Sequence, residues 1–232
     1  MRVRSKRYKD ANKSLDRIKV YTPKEAIQVL QSFTHVKFDE TLELSLKLGV
    51  DPKKADQQVR STVSLPNGTG KTSKVLVFAK GDKAKEAKEA GADFVGDDDL
   101  AEQILGGWTD FTCVVATPDM MKIVGKLGKV LGPRGLMPSP KAGTVTQDVG
   151  KAVTEIRGGK IEFKVDKSGN IHTFFGKMSF TSEQLLQNFE ALVDAIARTR
   201  PASVKGNFIK SMVVSSTMGP GLKIEHQAMQ TG

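Results

Sequence analysis

Lys74-Val75-Leu76-Val77-Phe78-Ala79 opens the part of the chain that decides the fold. This short apolar run reads as a strand, and residues 83–90, Lys-Ala-Lys-Glu-Ala-Lys-Glu-Ala, read as a helix stopped by Gly91. The alternation continues with a short strand over 92–95, a helix over 100–105, the buried strand Thr112-Cys113-Val114-Val115-Ala116 and a helix over 119–131. Strands that alternate with helices build a parallel sheet covered by helices. A small Rossmann-like unit is therefore expected.

The grammar differs on either side. Upstream, Thr22 can cap a helix, with Pro23 at its first position, Glu25 reaching back from the third, and Ala26, Ile27, Val29 and Leu30 as its apolar face. Thr41-Leu42-Glu43-Leu44-Ser45-Leu46-Lys47-Leu48 then alternates strictly, which predicts a strand with four leucines inward and one wet face. Downstream of Gly159, strands over 160–165 and 171–175 flank the turn Asp166-Lys167-Ser168-Gly169-Asn170. A second capping box, Thr181 to Gln184, starts a long helix whose stripe is Leu185, Phe189, Leu192, Val193 and Ile196. A last strand over 208–216 runs into Ser216-Thr217-Met218-Gly219-Pro220-Gly221.

Charge separates along the same boundaries. Residues 1–66 carry 14 basic against 8 acidic side chains, residues 67–158 carry 13 against 12, and residues 159–232 carry 9 against 6. Of the net +10, only +1 falls in the βαβ segment. The fold class expected is α/β: an α+β outer domain, 1–66 and 159–232, split by an inserted Rossmann-like three-layer α/β domain, 67–158.

At 232 residues and 38% hydrophobic content, the chain supports one or two domains. No apolar run nears the roughly 20 residues that span a bilayer, and the first 19 residues lack the apolar core of a secretory signal. No basic amphipathic helix with a broad apolar face points to a membrane surface. One cysteine, Cys113, rules out an intrachain disulfide and reads as a buried structural thiol. A pI near 9.6 favours a polyanionic partner, because lysines and arginines displace condensed counterions from phosphates. Nucleic acid is preferred.

Several motifs resemble catalytic ones and fail. Asn67-Gly68-Thr69-Gly70-Lys71-Thr72 ends like a phosphate loop, but Leu65 stands where its first glycine belongs, and the segment precedes a strand rather than a helix. Ser73 replaces the third glycine of a dinucleotide fingerprint. An interdomain hinge is the better reading. Asp97, Asp98 and Asp99 fit a helix start better than a metal site. His35, His172 and His226 lack zinc-ligand spacing, and no nucleophile-base pair is readable. No enzyme, metal or cofactor is expected.

Binding is better supported. Residues 125–143 are rich in glycine and proline and contain Lys126, Lys129, Arg134 and Lys141. No acid falls between Asp119 and Asp148, and Lys122 adds to the same stretch. A solvated loop and a loop touching RNA backbone explain this equally. In the outer domain, Lys37-Phe38 precedes the half-wet strand, and Ile209, Ser211, Val213 and Ser215 form the alternating face of the last one. If the two strands share a sheet, they offer hydroxyls and small side chains to folded RNA, which is read through shape and the 2′-hydroxyl. Phe38 fits a core as well as a contact. Met218 beside Gly219-Pro220-Gly221 is poorly explained by turn chemistry alone.

Lys37-Phe38-Asp39-Glu40-Thr41, Leu131-Gly132-Pro133-Arg134-Gly135-Leu136-Met137-Pro138, Lys141-Ala142-Gly143-Thr144-Val145 and Ser216-Thr217-Met218-Gly219-Pro220 together resemble the bacterial-type ribosomal protein one family of the large subunit. The resemblance runs in order from Tyr8 to Gly221; Ser139 stands where that family often has asparagine. It implies a two-domain, non-enzymatic protein of the cytoplasmic ribosome, with an organelle ribosome as the alternative, and a monomer off it. Its partners would be the large-subunit rRNA of the mobile stalk, the exit-site tRNA whose deacylated form it helps release, and its own operon mRNA, which it represses. The resemblance puts RNA contacts at Phe38, Thr41, Ser211, Thr217, Met218 and Gly219, with Lys37, Arg60 and Lys167 added. The rival class, a nucleotide-using enzyme on the βαβ unit, needs the phosphate loop and catalytic pair that the sequence lacks.

Overall fold

A computed structural model describes residues 5–225 except Arg17 and His35. The expectation for His35 and His226 lies outside the described residues. The chain divides into two compact units, one running up to Gly70 and resuming at Glu162, the other Lys71–Ile161.

The first unit is built on a four-stranded antiparallel sheet. Its strands are β1 (Thr41–Leu48), β7 (Asn170–Lys177), β8 (Ile209–Ser216) and β9 (Leu222–Ile224), in the order β7-β1-β8-β9. Leu42, Leu44, Leu46 and Leu48 are all buried on one face of β1, as the alternation predicts. Two helices cover that face: α2 (Pro23–Ser32) and α8 (Ser182–Arg198). Both begin with the expected reciprocal capping box, Thr22 with Glu25 and Thr181 with Gln184. The stripe Leu185, Phe189, Leu192, Val193 and Ile196 is buried, with Phe189 edge-on to Phe175 at 5.6 Å. Beneath the helix, the fully buried Asn188 accepts from Asn67 N at 3.0 Å and donates to Gly68 O at 3.0 Å and Phe175 O at 2.8 Å. It fixes the expected connection segment to this unit, so the division falls after Gly70 rather than after residue 66.

One face assignment is corrected. Ile209 is buried, not part of the wet face, because the register with β1 slips between Lys47 and Leu48. Lys47 opposes Ser211 while Leu48 opposes Ile209, so Lys210 is a bulged residue and the alternation reverses across it. Ser211, Val213 and Ser215 remain on the open face.

Three elements of this unit carry no periodic signal. Helix α1 (Lys6–Lys13) buries only Ala11; β9 has three residues; and β2 (Arg60–Ser64) has no fully buried residue. Strand β2 pairs with β6 (Lys160–Lys164) in a separate two-stranded ribbon.

The second unit is a three-layer α/β sandwich. Strands β3 (Val75–Phe78), β4 (Phe94–Gly96) and β5 (Cys113–Ala116) form a parallel sheet in the order β4-β3-β5. Val75, Val77 and Val115 pack with the helices α3 (Asp82–Glu89) and α7 (Val149–Arg157). Leu76, Phe78 and Val114 pack with α4 (Asp98–Leu105), α5 (Met121–Lys126) and α6 (Gly128–Leu131). Strand β3 is buried on both faces, which explains its unbroken apolar run.

The single helix expected over 119–131 is broken. A 3-10 turn, Pro118–Met120, leads into α5, and the chain kinks at Leu127 before α6, where Gly125 and Gly128 weaken helical continuity. Helix α7 was not anticipated, although Val149, Ala152, Val153 and Ile156 have helical spacing. Cys113, expected to be buried, is half-buried at the start of β5. Asp97 makes no capping hydrogen bond; it and Asp98 instead pair with Lys80 at 3.4 and 3.5 Å, while Asp98 and Asp99 do lie in the first turn of α4. Among the described residues, no cluster of His, Cys, Asp and Glu could hold a metal, and no helix is long and apolar enough to cross a membrane.

Candidate nucleic-acid interface

Thr41 and Thr217, 176 positions apart, meet where β1 begins and β8 ends. Thr217 N donates to Thr41 O at 3.0 Å; Thr217 Oγ1 accepts from Thr41 N at 2.9 Å and lies 3.2 Å from Thr41 O. The antiparallel register, Leu42 opposite Ser216, dictates this meeting. The threonine hydroxyl therefore closes the sheet end with a side chain, where main-chain pairing stops.

Large apolar side chains stand exposed beside both partners. Phe38, three residues before Thr41, is 53% exposed, and Met218, next to Thr217, is 52% exposed. Phe38 is thus a surface residue, not core. Its segment is fastened from behind: Asp39 accepts from Ser179 N at 3.1 Å and Ser179 Oγ at 2.9 Å, and Met178 N donates to Glu40 O at 2.8 Å. Gly219 N donates to Ser216 O at 3.1 Å, and a Cβ on Gly219 would collide with Ser216 Oγ. Crowding rather than backbone angle favours glycine there. Lys37 is exposed beside Phe38.

Ser211 and Lys167 lie elsewhere on the same unit. Ser211 opposes Lys47, six residues along β1 from Thr41, about 20 Å at 3.3 Å per residue. Lys47 Nζ donates to Ser168 O, which ties that far end of the sheet to the 166–170 turn. Asp166 organises the turn by accepting from Ser168 N at 2.8 Å and Asn170 N at 2.7 Å, and these bonds, Asn170's first, hold its carboxyl below the ordinary range. Lys167 stands exposed between Asp166 and the first donor, Ser168. Arg60 is on the β2–β6 ribbon, outside the four-stranded sheet, and is ion-paired with Glu162.

The expected contacts thus divide into a compact cluster of Lys37, Phe38, Thr41, Thr217, Met218 and Gly219, a distal pair of Ser211 and Lys167, and Arg60 apart. Between the cluster and the distal pair, the helix-free face presents Glu43, Ser45, Val213, Ser215 and His172, with Ser45 Oγ 3.1 Å from His172 Nδ1. This strip of hydroxyls and small side chains can lie close to a sugar edge, and it has too little charge to act through phosphates alone.

Arg7 is a participant that the sequence reading missed. From α1 its guanidinium donates to Met218 O at 2.8 Å and Thr34 O at 3.2 Å, bridging the segments that carry Met218 and Phe38. Both acceptors are backbone carbonyls far along the chain, so no motif around Arg7 announces them.

In the second unit, Lys122, Lys126, Lys129, Arg134 and Lys141 are all exposed. Only part of the 125–143 stretch is loop: it contributes to α5 and α6, and Leu136 and Met137 pack on the core.

The ribosomal protein L1p/L10e family model matches residues 30–220. The large ribosomal subunit protein uL1 of Protochlamydia amoebophila (strain UWE25) is 63% identical over 221 residues, covering 95% of this chain and 94% of that one. The protein of the same name from Thermobifida fusca (strain YX) is 56% identical over 225 residues, 97% of this chain and 96% of that one. That of Bifidobacterium animalis subsp. lactis (strain AD011) is 58% identical over 225 residues, covering 97% and 98%. With a match that takes in Phe38, Thr41, Ser211 and the 216–220 loop, and relatives more than half identical over nearly their whole length, this chain belongs to the ribosomal protein L1p/L10e family.

Proposed function

We propose that the chain is a structural component of the large ribosomal subunit that binds rRNA through the open face of its first unit. Family membership makes it a ribosomal protein and not an enzyme, acting on the ribosome in the cytoplasm. The observation that carries the RNA site is the Thr41–Thr217 junction with Phe38 and Met218 exposed beside it. Exposed apolar side chains on a rigid, weakly charged strand end suit packing against riboses and base edges. Ser211, Lys167, Lys37 and Arg60 would extend the contact and meet phosphates.

Two finer roles belong to the same proposal. The chain assists release of deacylated tRNA from the exit site, and it represses its own operon mRNA by using the rRNA surface for a similar fold. Both are supported by the motif resemblance. The repression has a direct test, because one surface cannot hold two RNAs: the leader mRNA should displace the stalk rRNA fragment competitively on filters. Phe38→Ala should weaken both RNAs by the same factor. Simultaneous binding of the two RNAs would refute the shared site, and unchanged rRNA affinity in Phe38→Ala would refute the interface itself.

A further inference from the structure

The loop that carries Met218 continues into the wall of a cleft. Pro220, Gly221, Leu222 and Lys223 form one side, and Tyr8, Asn12 and Lys19 from α1 and the segment after it form the other, with Tyr21 as an inner surface. The cleft encloses about 420 Å³ and is open to solvent. Both tyrosines of the chain line it.

Its construction is specific. Tyr21 is buried and anchored to β9 on both sides, its N–H donating to Lys223 O at 2.9 Å while its carbonyl accepts from Glu225 N at 3.0 Å. The Lys19 ammonium sits 4.9 Å from the centre of the Tyr21 ring, which holds that charge at the rim. Tyr8 is half-buried and lines the opposite wall. Arg7, the residue before Tyr8, ties α1 to the carbonyl of Met218, so the cleft is joined to the proposed contact loop. The acid in the lining, Asp16, is turned to local use, accepting from Ile18 N at 2.9 Å.

An aromatic surface with two ammonium groups beside it, continuous with an RNA-contacting loop, is how proteins hold an unstacked nucleotide. The geometry points to this cleft as a second RNA subsite, in which one splayed nucleotide of the bound rRNA stacks on Tyr8 while its phosphates lie by Lys19 and Lys223. The inference rests on the proposed rRNA binding and adds a separate contact to it.

Two measurements on the full chain and an rRNA fragment that wild type retains on filters test the proposal. In the Lys19→Gln, Lys223→Gln double variant, affinity should fall roughly tenfold and the slope of log K against log salt should shrink by about 1.4 to 1.8, the effect of two lost phosphate contacts. Unchanged affinity and slope in a variant with wild-type melting behaviour overturn the subsite. The second measurement needs no substitution: irradiating wild type with 5-iodouridine-substituted RNA should cross-link Tyr8. Cross-links confined to the Phe38 and Met218 segments overturn the subsite even if the salt slope falls, because long-range charge alone can lower it. The two proposals fail distinguishably. If wild type binds and Met218→Ala weakens it while the cleft gives neither signal, only the subsite is lost; if Met218→Ala binds like wild type, the primary interface is lost.

Discussion

Thr217→Val removes one hydroxyl while keeping the branched shape that suits a strand end. The lost atom accepts from Thr41 N and hydrogen-bonds Thr41 O, while the backbone bond from Thr217 N stays. Each net hydrogen bond is worth about 0.5–1.5 kcal/mol, and water can reach this exposed site, so the expected loss is about 1–2 kcal/mol in the order of the loop. Met218→Ala leaves that order intact and removes a side chain whose exposed half would become buried on binding, about 1 kcal/mol or fivefold in Kd. With its hydroxyl bonded to Thr41 N and Thr41 O, Thr217 would act on RNA by placing Met218. Filter binding of the stalk rRNA to wild type, both single variants and the double variant forms a cycle that measures this. The double variant should lose little more than the worse single one, leaving a coupling of about 1 kcal/mol, and Thr217→Ser should recover most of the affinity. Additive losses would show that Thr217 contacts RNA independently and refute the placement argument. Wild-type affinity in Thr217→Val would show that the junction does not serve binding at all.

Gly219→Ala forces a Cβ against Ser216 Oγ and should cost about 1–3 kcal/mol of RNA affinity or stability; adding Ser216→Ala should recover most of it, since the next contact, Ser216 Cβ, lies at an ordinary 3.5 Å. Asn188→Leu leaves Asn67 N, Gly68 O and Phe175 O without their side-chain partner and should lower unfolding free energy by about 3 kcal/mol or more in denaturant titration. In the second unit, Asp93 accepts from Val75 N at 2.8 Å, the main cause of a carboxyl held below its ordinary 3.8, with Arg157 at 3.3 Å assisting against partial burial. A lowered folded pKa gives stability that is complete above 3.8 and lost as pH falls through the folded value, so Asp93→Asn should flatten the acid limb of a melting profile below about pH 4 and leave its shape at neutral pH unchanged.

What the sequence revealed follows from which residues are buried. The four leucines of β1 leave an alternating trace, the double-sided burial of β3 leaves an unbroken apolar run, and both capping boxes are local, so these elements could be found without a structure. Helix α1 and strand β2 bury almost nothing, so neither period appears. The bulge at Lys210 has no composition of its own: Ile209-Lys210-Ser211 looks like unbroken alternation, and only the pairing with β1 places Ile209 inward. Helix α7 differs, since its Val149, Ala152, Val153 and Ile156 stripe has helical spacing in the sequence but follows the glycine-rich stretch.

The site was legible for a reason that charge counting would have missed. The net charge identifies the first unit, yet the cluster at its sheet end, Lys37, Phe38, Thr41, Thr217, Met218 and Gly219, contains a single ionisable side chain, that of Lys37. The arginine beside it is already spent on the protein: Arg7 holds the Met218 and Thr34 carbonyls. Free cations bring any polyanion to the surface, because phosphates look alike in every sequence. Discrimination must then come from groups that fit a particular RNA shape, and in the proposed interface an exposed methionine and phenylalanine beside a hydrogen-bonded threonine pair would be such groups. The informative residue was therefore Met218, whose apolar side chain has no role in a turn, and the structure gives it a partner segment, Phe38 to Thr41, that no local reading of residues 216–221 contains.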